Sequence, residues 1–311
     1  MKTSLITTVL NEENSIVDFL SSLSRQTKLP REVVIVDAGS SDKTLEAIHH
    51  FLFNTKGIKF KIVTKKGNRS LGRNTAIKKS TGDIIAVSDV GCILDKYWFE
   101  NITNPFKDIR VDVVSGFYKP KTRTVFGRCL STYTCVMSDK VDPRNFLPSS
   151  RSIAFKKSVW AKVKGYPEEI DTCEDLVFDK KLKEVGCSFL FVKNAIVYWP
   201  QRKNLFQAFM QFLSYAIGDG QALYIRPQTP LLFIRYILGG ILLVLYFVTR
   251  SNVWLLVIGF LLSSYLVWAV YKNYKYVMRL KALVYLPLLQ IVSDVAIIVG
   301  MMIGLFKRKW Q

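Results

Sequence analysis

The chain has 311 residues, half of them hydrophobic, with 44 Lys and Arg against 24 Asp and Glu and a net charge of +20. Its two histidines (His49, His50) and five cysteines without CxxC or zinc spacing (Cys92, Cys129, Cys135, Cys173, Cys187) exclude a zinc site and histidine-based catalysis, and fit reduced thiols in a cytosolic domain. From Leu190 onward 13 Lys and Arg face only Asp219 and Asp294; beside long apolar runs, that excess suits anionic lipid headgroups better than nucleic acid.

The first ten residues have too short and too threonine-broken an apolar core for a secretory signal, and read as a strand over 4–10. A helix over 15–24 follows, with Ile16, Phe19, Leu20 and Leu23 on one face. The stretch Val33 to Asp42 is the most informative. Its run of β-branched residues predicts a buried parallel strand. Asp37 arrives at the carboxyl end, Gly39 lets the chain turn, and Ser41 or Asp42 caps a helix over 43–53. In open α/β sheets ligands bind outside the strand carboxyl ends, so Asp37 faces a ligand, and a carboxylate there suits a base or ribose. An ordinary strand–turn–helix connection is the competing reading. Neither GxGxxG nor GxxxxGK[ST] occurs.

A strand over 59–63, a helix over 71–79 and a strand over 84–88 continue the alternation, which predicts an α/β fold with a mostly parallel sheet. Asp89-Val90-Gly91-Cys92 repeats the strand-end logic, and Asp89 suits a divalent cation such as Mg²⁺ or Mn²⁺; a solvated loop aspartate is the plainer alternative. After the turn Gly165-Tyr166-Pro167-Glu168, Glu174-Asp175 opens a helix to about 185, where acidic residues commonly only complement the macrodipole.

Beyond residue 225 apolar runs dominate. Segments 231–249 and 253–271 approach the length of membrane spans, with Arg235 near enough to an end to snorkel. The third, 282–306, carries Pro287, Gln290, Ser293 and Asp294, and reads as a third span with a polar centre or as a broken interfacial helix. Lys272, Lys275, Arg279 and Lys281, and then Lys307, Arg308 and Lys309, prefer the cytoplasmic side; two spans plus an interfacial or re-entrant segment place both clusters there. An amphipathic helix over 204–224 is expected to lie against the bilayer. The expected division is a domain over 1–225 and a membrane region over 226–311.

In chain order, Thr7-Thr8-Val9-Leu10-Asn11-Glu12-Glu13, Val36 to Thr44, Gly72-Arg73-Asn74-Thr75-Ala76 with Thr81-Gly82-Asp83, Ser88 to Cys92, Gly165 to Glu168 and Glu174-Asp175 resemble the family 2 inverting glycosyltransferases. The resemblance covers about residues 3–225 and points to the membrane-associated subgroup. It implies a GT-A fold, the Rossmann-like mixed sheet of nucleotide-diphospho-sugar transferases, followed by a helical membrane region. It also implies a hexosyltransferase-type enzyme with a nucleotide-sugar donor and a lipid-linked or glycan acceptor, serving cell-envelope polysaccharide or glycolipid synthesis. Val9, Asn11, Glu12 and Asp37 match positions that hold base and ribose. Asp89 matches the metal-binding motif that carries the donor diphosphate, and Asp175, beside Glu174, matches the general base.

Two departures from the family pattern stand out. Gly91 replaces the second acid of Asp-x-Asp, so one carboxylate must hold the ion with diphosphate and water, and Arg73, Arg151 and Arg202 are candidates to share that charge. The stretch Tyr198 to Asn204 lacks the Gln-x-x-Arg-Trp of chain-extending synthases, which implies transfer of a single sugar. Trp199 and Arg202 are expected on the acceptor or diphosphate side, and Ser149 and Arg151 at the acceptor floor. The implied protein is integral to the membrane, with its catalytic domain on the cytoplasmic face, the plasma membrane being expected. The rival readings are a non-catalytic membrane scaffold with a degenerate GT-A fold, which Gly91 favours, and a nucleotidyltransferase, whose Gly-rich Lys/Arg loop is missing.

Overall fold

The strand–helix alternation read from the sequence is present in the computed structural model, which describes residues 1–53 and 57–308. Lys309 of the terminal basic cluster lies outside the described residues. The elements β1 (Thr3–Val9), α1 (Ile16–Ser24), β2 (Glu32–Asp37), α2 (Thr44–Phe53), β3 (Lys59–Thr64), α3 (Arg69–Lys79) and β4 (Ile84–Val87) run in that order. They are followed by β5 (Ile93–Leu94), α4 (Trp98–Thr103), β6 (Val113–Lys121), α5 (Val125–Thr134), β7 (Ile153–Lys156), α6 (Lys157–Lys162), α7 (Glu174–Glu184) and β8 (Phe189–Pro200).

One compact unit comprises Met1–Lys121 and Met137–Pro200. Its sheet has eight strands in the order β3-β2-β1-β4-β7-β6-β8-β5. The β3-β2-β1-β4 half is parallel, as the alternation predicts. Antiparallel β7 joins β4 to β6, and β8 pairs parallel with β6, which makes the sheet mixed. Every residue of β2 is buried, because parallel neighbours occupy both its edges and helices cover its faces. Ile6, Val34, Val36, Ile85 and Val87 of the sheet pack against Ala76 and Ile77 of α3 and against Phe155, Tyr166, Phe178 and Leu182. Each large apolar side chain buried this way is worth about 1.5–3 kcal/mol. The parallel register sets Val9 opposite Asp37, so the carboxyl ends of β1 and β2 meet at one level.

The second unit comprises Thr122–Val136 and the chain from Gln201 onward. It holds α5, α8 (Leu205–Gln221), α9 (Thr229–Thr249), α10 (Val253–Tyr274) and α11 (Ala282–Arg308). In this unit α5 and α8 join the later helices. Ala208 and Phe212 of α8 pack with Phe126, Cys129 and Leu130 of α5 and with Leu286, Leu289 and Ala296 of α11. Small residues bring the α8 and α11 backbones together: a Cβ on Gly220 would lie 2.7 Å from the Met301 carbonyl oxygen. The α8 face expected on the bilayer is thus largely covered by protein, while Phe206 and Met210 stay exposed.

The third apolar segment is one unbroken helix of 27 residues and not a broken one. Pro287 falls in its second turn, where the missing N–H removes a single intrahelical bond. With α9 and α10, it makes three helices among the described residues that are long and apolar enough to cross a membrane.

Candidate active site

Asp37 ends β2 almost fully buried, with Oδ2 accepting the Gly39 N–H at 3.0 Å and Oδ1 accepting the Ser40 N–H at 3.2 Å. Gly39 makes that turn with φ of 100°, a conformation side-chain-bearing residues rarely adopt. The loop after β1 is tied to the same turn. Asn11 Oδ1 accepts the Ser41 N–H at 2.9 Å, the Asn11 N–H donates to Ser40 Oγ at 3.0 Å, and the Glu12 N–H donates to Thr44 Oγ1 at 2.7 Å. Of the two expected capping residues, Asp42 bonds the start of α2, its Oδ1 accepting the Thr44 N–H at 3.0 Å. Val9, Asn11, Glu12 and Asp37 are therefore brought together in one polar rim. Lys66, which no sequence pattern singled out, lays its methylenes over Gly39, so that a Cβ there would lie 3.0 Å from Lys66 Cγ.

Arg73 on α3 joins the next strand end to α7. It is 2% exposed, donates from Nη1 to Glu174 Oε1 at 2.6 Å and from Nη2 to Asp89 Oδ1 at 2.8 Å, and lies 5.4 Å from the centre of the Tyr166 ring. Burial opposes the guanidinium's charge, but Asp89 and Glu174 outweigh it and push the pKa further up. Burial likewise pushes Asp89 up, and the charges of Arg73, Arg151 and Arg69 reverse that, holding it below its ordinary value. At Glu174 burial prevails over the pull of Arg73, with the Asp175 charge adding to it, and the pKa rises. Both arms of Arg73 are thus engaged by carboxylates. Arg69, unremarked in the sequence, joins Arg151 as a cation acting on Asp89.

Asp175 is the second residue of α7, half-buried, with Oδ1 accepting the Leu176 N–H at 2.9 Å. Asn74, the neighbour of Arg73, anchors the loop leading to that helix. Its Nδ2 donates to the Tyr166 carbonyl at 2.9 Å and to Glu168 Oε1 at 2.8 Å, while Oδ1 accepts from the Tyr166 N–H at 2.9 Å and from Trp160 Nε1 at 3.0 Å. Donors and acceptor of the amide are all satisfied. The motif placed Asn74 in the family pattern, but its role depends on residues about ninety positions away.

Ser149, Arg151 and Trp199 form a third group. The Arg151 guanidinium carbon stands 3.9 Å over the Trp199 ring and 5.6 Å from that of Tyr118, and its Nη1 donates to Ser149 Oγ at 2.8 Å. Arg202, expected with them, belongs to the second unit.

Among the described residues no three His, Cys, Asp or Glu side chains come together to hold a metal. Asp89 keeps one oxygen clear of Arg73, and beside it a Cβ on Gly91 would meet nothing within 4 Å. The residues present fit a Mg²⁺ or Mn²⁺ ion through that single carboxylate, with the other ligands coming from a diphosphate and water.

A mixed sheet whose parallel strand ends carry this polar rim, an aspartate followed by an open turn, and an acidic helix start define a glycosyltransferase of the GT-A fold, which uses a nucleotide-sugar donor. Residues 4–131 match the family model Glycosyl transferase family 2. It is 28% identical over 225 residues to glycosyltransferase AglE of Haloferax volcanii, covering 70% of this chain and 72% of that one. The mannosyltransferase PcManGT of Pyrobaculum calidifontis, solved with GDP-Man and Mn²⁺, matches with a TM-score of 0.64 at 18% identity, over 98% of this chain and 87% of that one. Staphylococcus aureus TarS matches at a TM-score of 0.51 and 21% identity over 71% of this chain, which spans 40% of TarS. At these identities the solved structures speak for the fold alone.

Proposed function

We propose that the protein transfers a single sugar, with inversion, from a nucleotide-sugar donor to a lipid-linked or glycan acceptor at the cytoplasmic face of a membrane, with Asp175 as general base. The observation that carries this reading is the buried Arg73 bridge, which sets the Asp89 strand end beside the helix start bearing Asp175. Val9, Asn11, Glu12 and Asp37 hold the base and ribose. Asp89 offers one oxygen to a Mg²⁺ or Mn²⁺ ion, which when bound offsets charge on the diphosphate. Arg151 and Arg69 add positive charge there, while Arg73 positions Asp89 and Glu174. Ser149 and Trp199 serve the acceptor side. The GDP-Man in PcManGT and the UDP-GlcNAc in a TarS structure support a nucleotide-sugar donor without choosing its sugar.

In the reaction, Asp175 takes the proton of the acceptor hydroxyl as its oxygen bonds to the anomeric carbon. The bond from that carbon to the diphosphate breaks on the opposite face, and nucleoside diphosphate leaves. Asp175→Asn is expected to lower nucleoside diphosphate release, measured with lipid extract as acceptor, at least about 100-fold while donor affinity stays unchanged. Turnover retained at unchanged affinity overturns the base assignment.

A further inference from the structure

The helices of spanning length enclose a polar group that the transfer reaction does not use. On α11, Asp294 is 1% exposed. Its Oδ2 accepts from the hydroxyls of Tyr236 on α9 at 3.2 Å and Tyr265 on α10 at 2.7 Å, and its Oδ1 accepts from Gln290 Nε2 at 3.0 Å. This carboxylate is satisfied by three donors. Its neighbours are not. The Arg235 guanidinium carbon lies 3.8 Å over the Tyr265 ring, yet its buried Nε–H has no acceptor. No carboxylate among the described residues is within 4 Å of it. Gln290 is 7% exposed, and its Oε1 is buried without a donor.

A buried donor on a cation and a buried acceptor each cost free energy while unpartnered, and the two flank one cluster, Arg235 over the Tyr265 ring and Gln290 on the Asp294 carboxylate that Tyr265 also bonds. Arg235 is the seventh residue of α9, about 9 Å along the helix from its start, a depth within reach of a headgroup. We infer that Arg235 and Gln290, backed by the Asp294–Tyr236–Tyr265 cluster, bind the phosphate of a membrane lipid. Arg235 donates to an anionic phosphate oxygen, and Gln290 Oε1 accepts a P–O–H. That pair of contacts favours a phosphate monoester, which retains an acidic hydroxyl, over the diester of a bulk phospholipid. Asp294, saturated by hydroxyl and amide donors, holds the tyrosines in place and leaves the positive face of Arg235 to the ligand.

The inference rests on α9, α10 and α11 lying in a membrane, and needs neither donor nor turnover. Full-length protein is purified from nanodiscs of phosphatidylcholine doped with phosphatidic acid (a monoester) or with phosphatidylglycerol (a diester), and retained lipid is read by native mass spectrometry. Wild type is expected to retain phosphatidic acid preferentially. Arg235→Met should lower that retention at least about tenfold. Gln290→Leu should erase the preference for monoester over diester, and Arg250→Met, a cation elsewhere on the chain, should change nothing. A melting curve confirms that each variant is folded, and Arg235→Lys, which keeps the charge, covers the case in which the Met variant is not. Equal retention by wild type and Arg235→Met, or retention of neither lipid by wild type, overturns the site. Loss of wild-type protein from the membrane fraction on alkaline washing overturns instead the membrane reading beneath it.

Discussion

Asp179 lies one turn along α7 from Asp175, 1% exposed, with no hydrogen bond to either carboxylate oxygen. Burial, reinforced by the Asp175 charge and only partly offset by Lys183, raises its pKa well above the ordinary value. A group raised on folding contributes stability at pH below its unfolded pKa and loses it as the pH climbs through the folded value. Asp179→Asn, which removes the titration, should therefore stabilise the protein at neutral pH by about 1–3 kcal/mol, the gain fading below about pH 4. Melting curves across that range check it. Arg73→Met should act in the opposite sense, costing about 3–5 kcal/mol in a denaturant titration, because it strands the buried Glu174 without its cation. Gly91→Asp meets open space and no left-handed φ, so it should fold normally and tighten Mn²⁺ binding, read directly by electron paramagnetic resonance. At this scale the sequence showed which residues carry charge at strand ends. It did not show that Arg73 is sealed between two carboxylates, since Asp89 and Glu174 stand 16 and 101 residues away from it.

The elements divide between local and long-range control. The parallel strands and α2, α3 and α7 were legible because their apolar periodicity and capping residues are local, and observed ends fall within about two residues of the expected ones. β7 and β8 were not anticipated, since an antiparallel insertion between parallel strands depends on partners the chain meets only after folding. Glu32 shows how the parallel strands are fastened. Burial favours its neutral form, but hydrogen bonds from Ser4 and Thr81 and the Lys61 ammonium bring its pKa down to about 2. Stability from this pin is present above the unfolded carboxylate pKa and lost as the pH falls towards 2, so Glu32→Gln should flatten the acid limb of the stability profile. In the second unit Gly304 faces the Ile217 carbonyl, and Gly304→Leu should lower the melting temperature by separating α8 from α11, at a cost of about 1–3 kcal/mol.

Across the whole molecule, composition alone separated an α/β portion from an apolar one, because a strand–helix alternation and runs of about twenty apolar residues are properties of short windows. The ordered motifs that carry the family resemblance are likewise matters of local spacing. The tertiary structure decided that α5 and α8 belong with the apolar helices and that Pro287 does not break the last of them. It alone ties the acidic strand end to the acidic helix start through Arg73, and gathers Asp294, Tyr236, Tyr265, Gln290 and Arg235 from three helices. The reason is physical. Helix, strand and turn follow from neighbours in sequence, whereas the burial of a charge, and the partner that compensates it, depend on which distant segments share one interior.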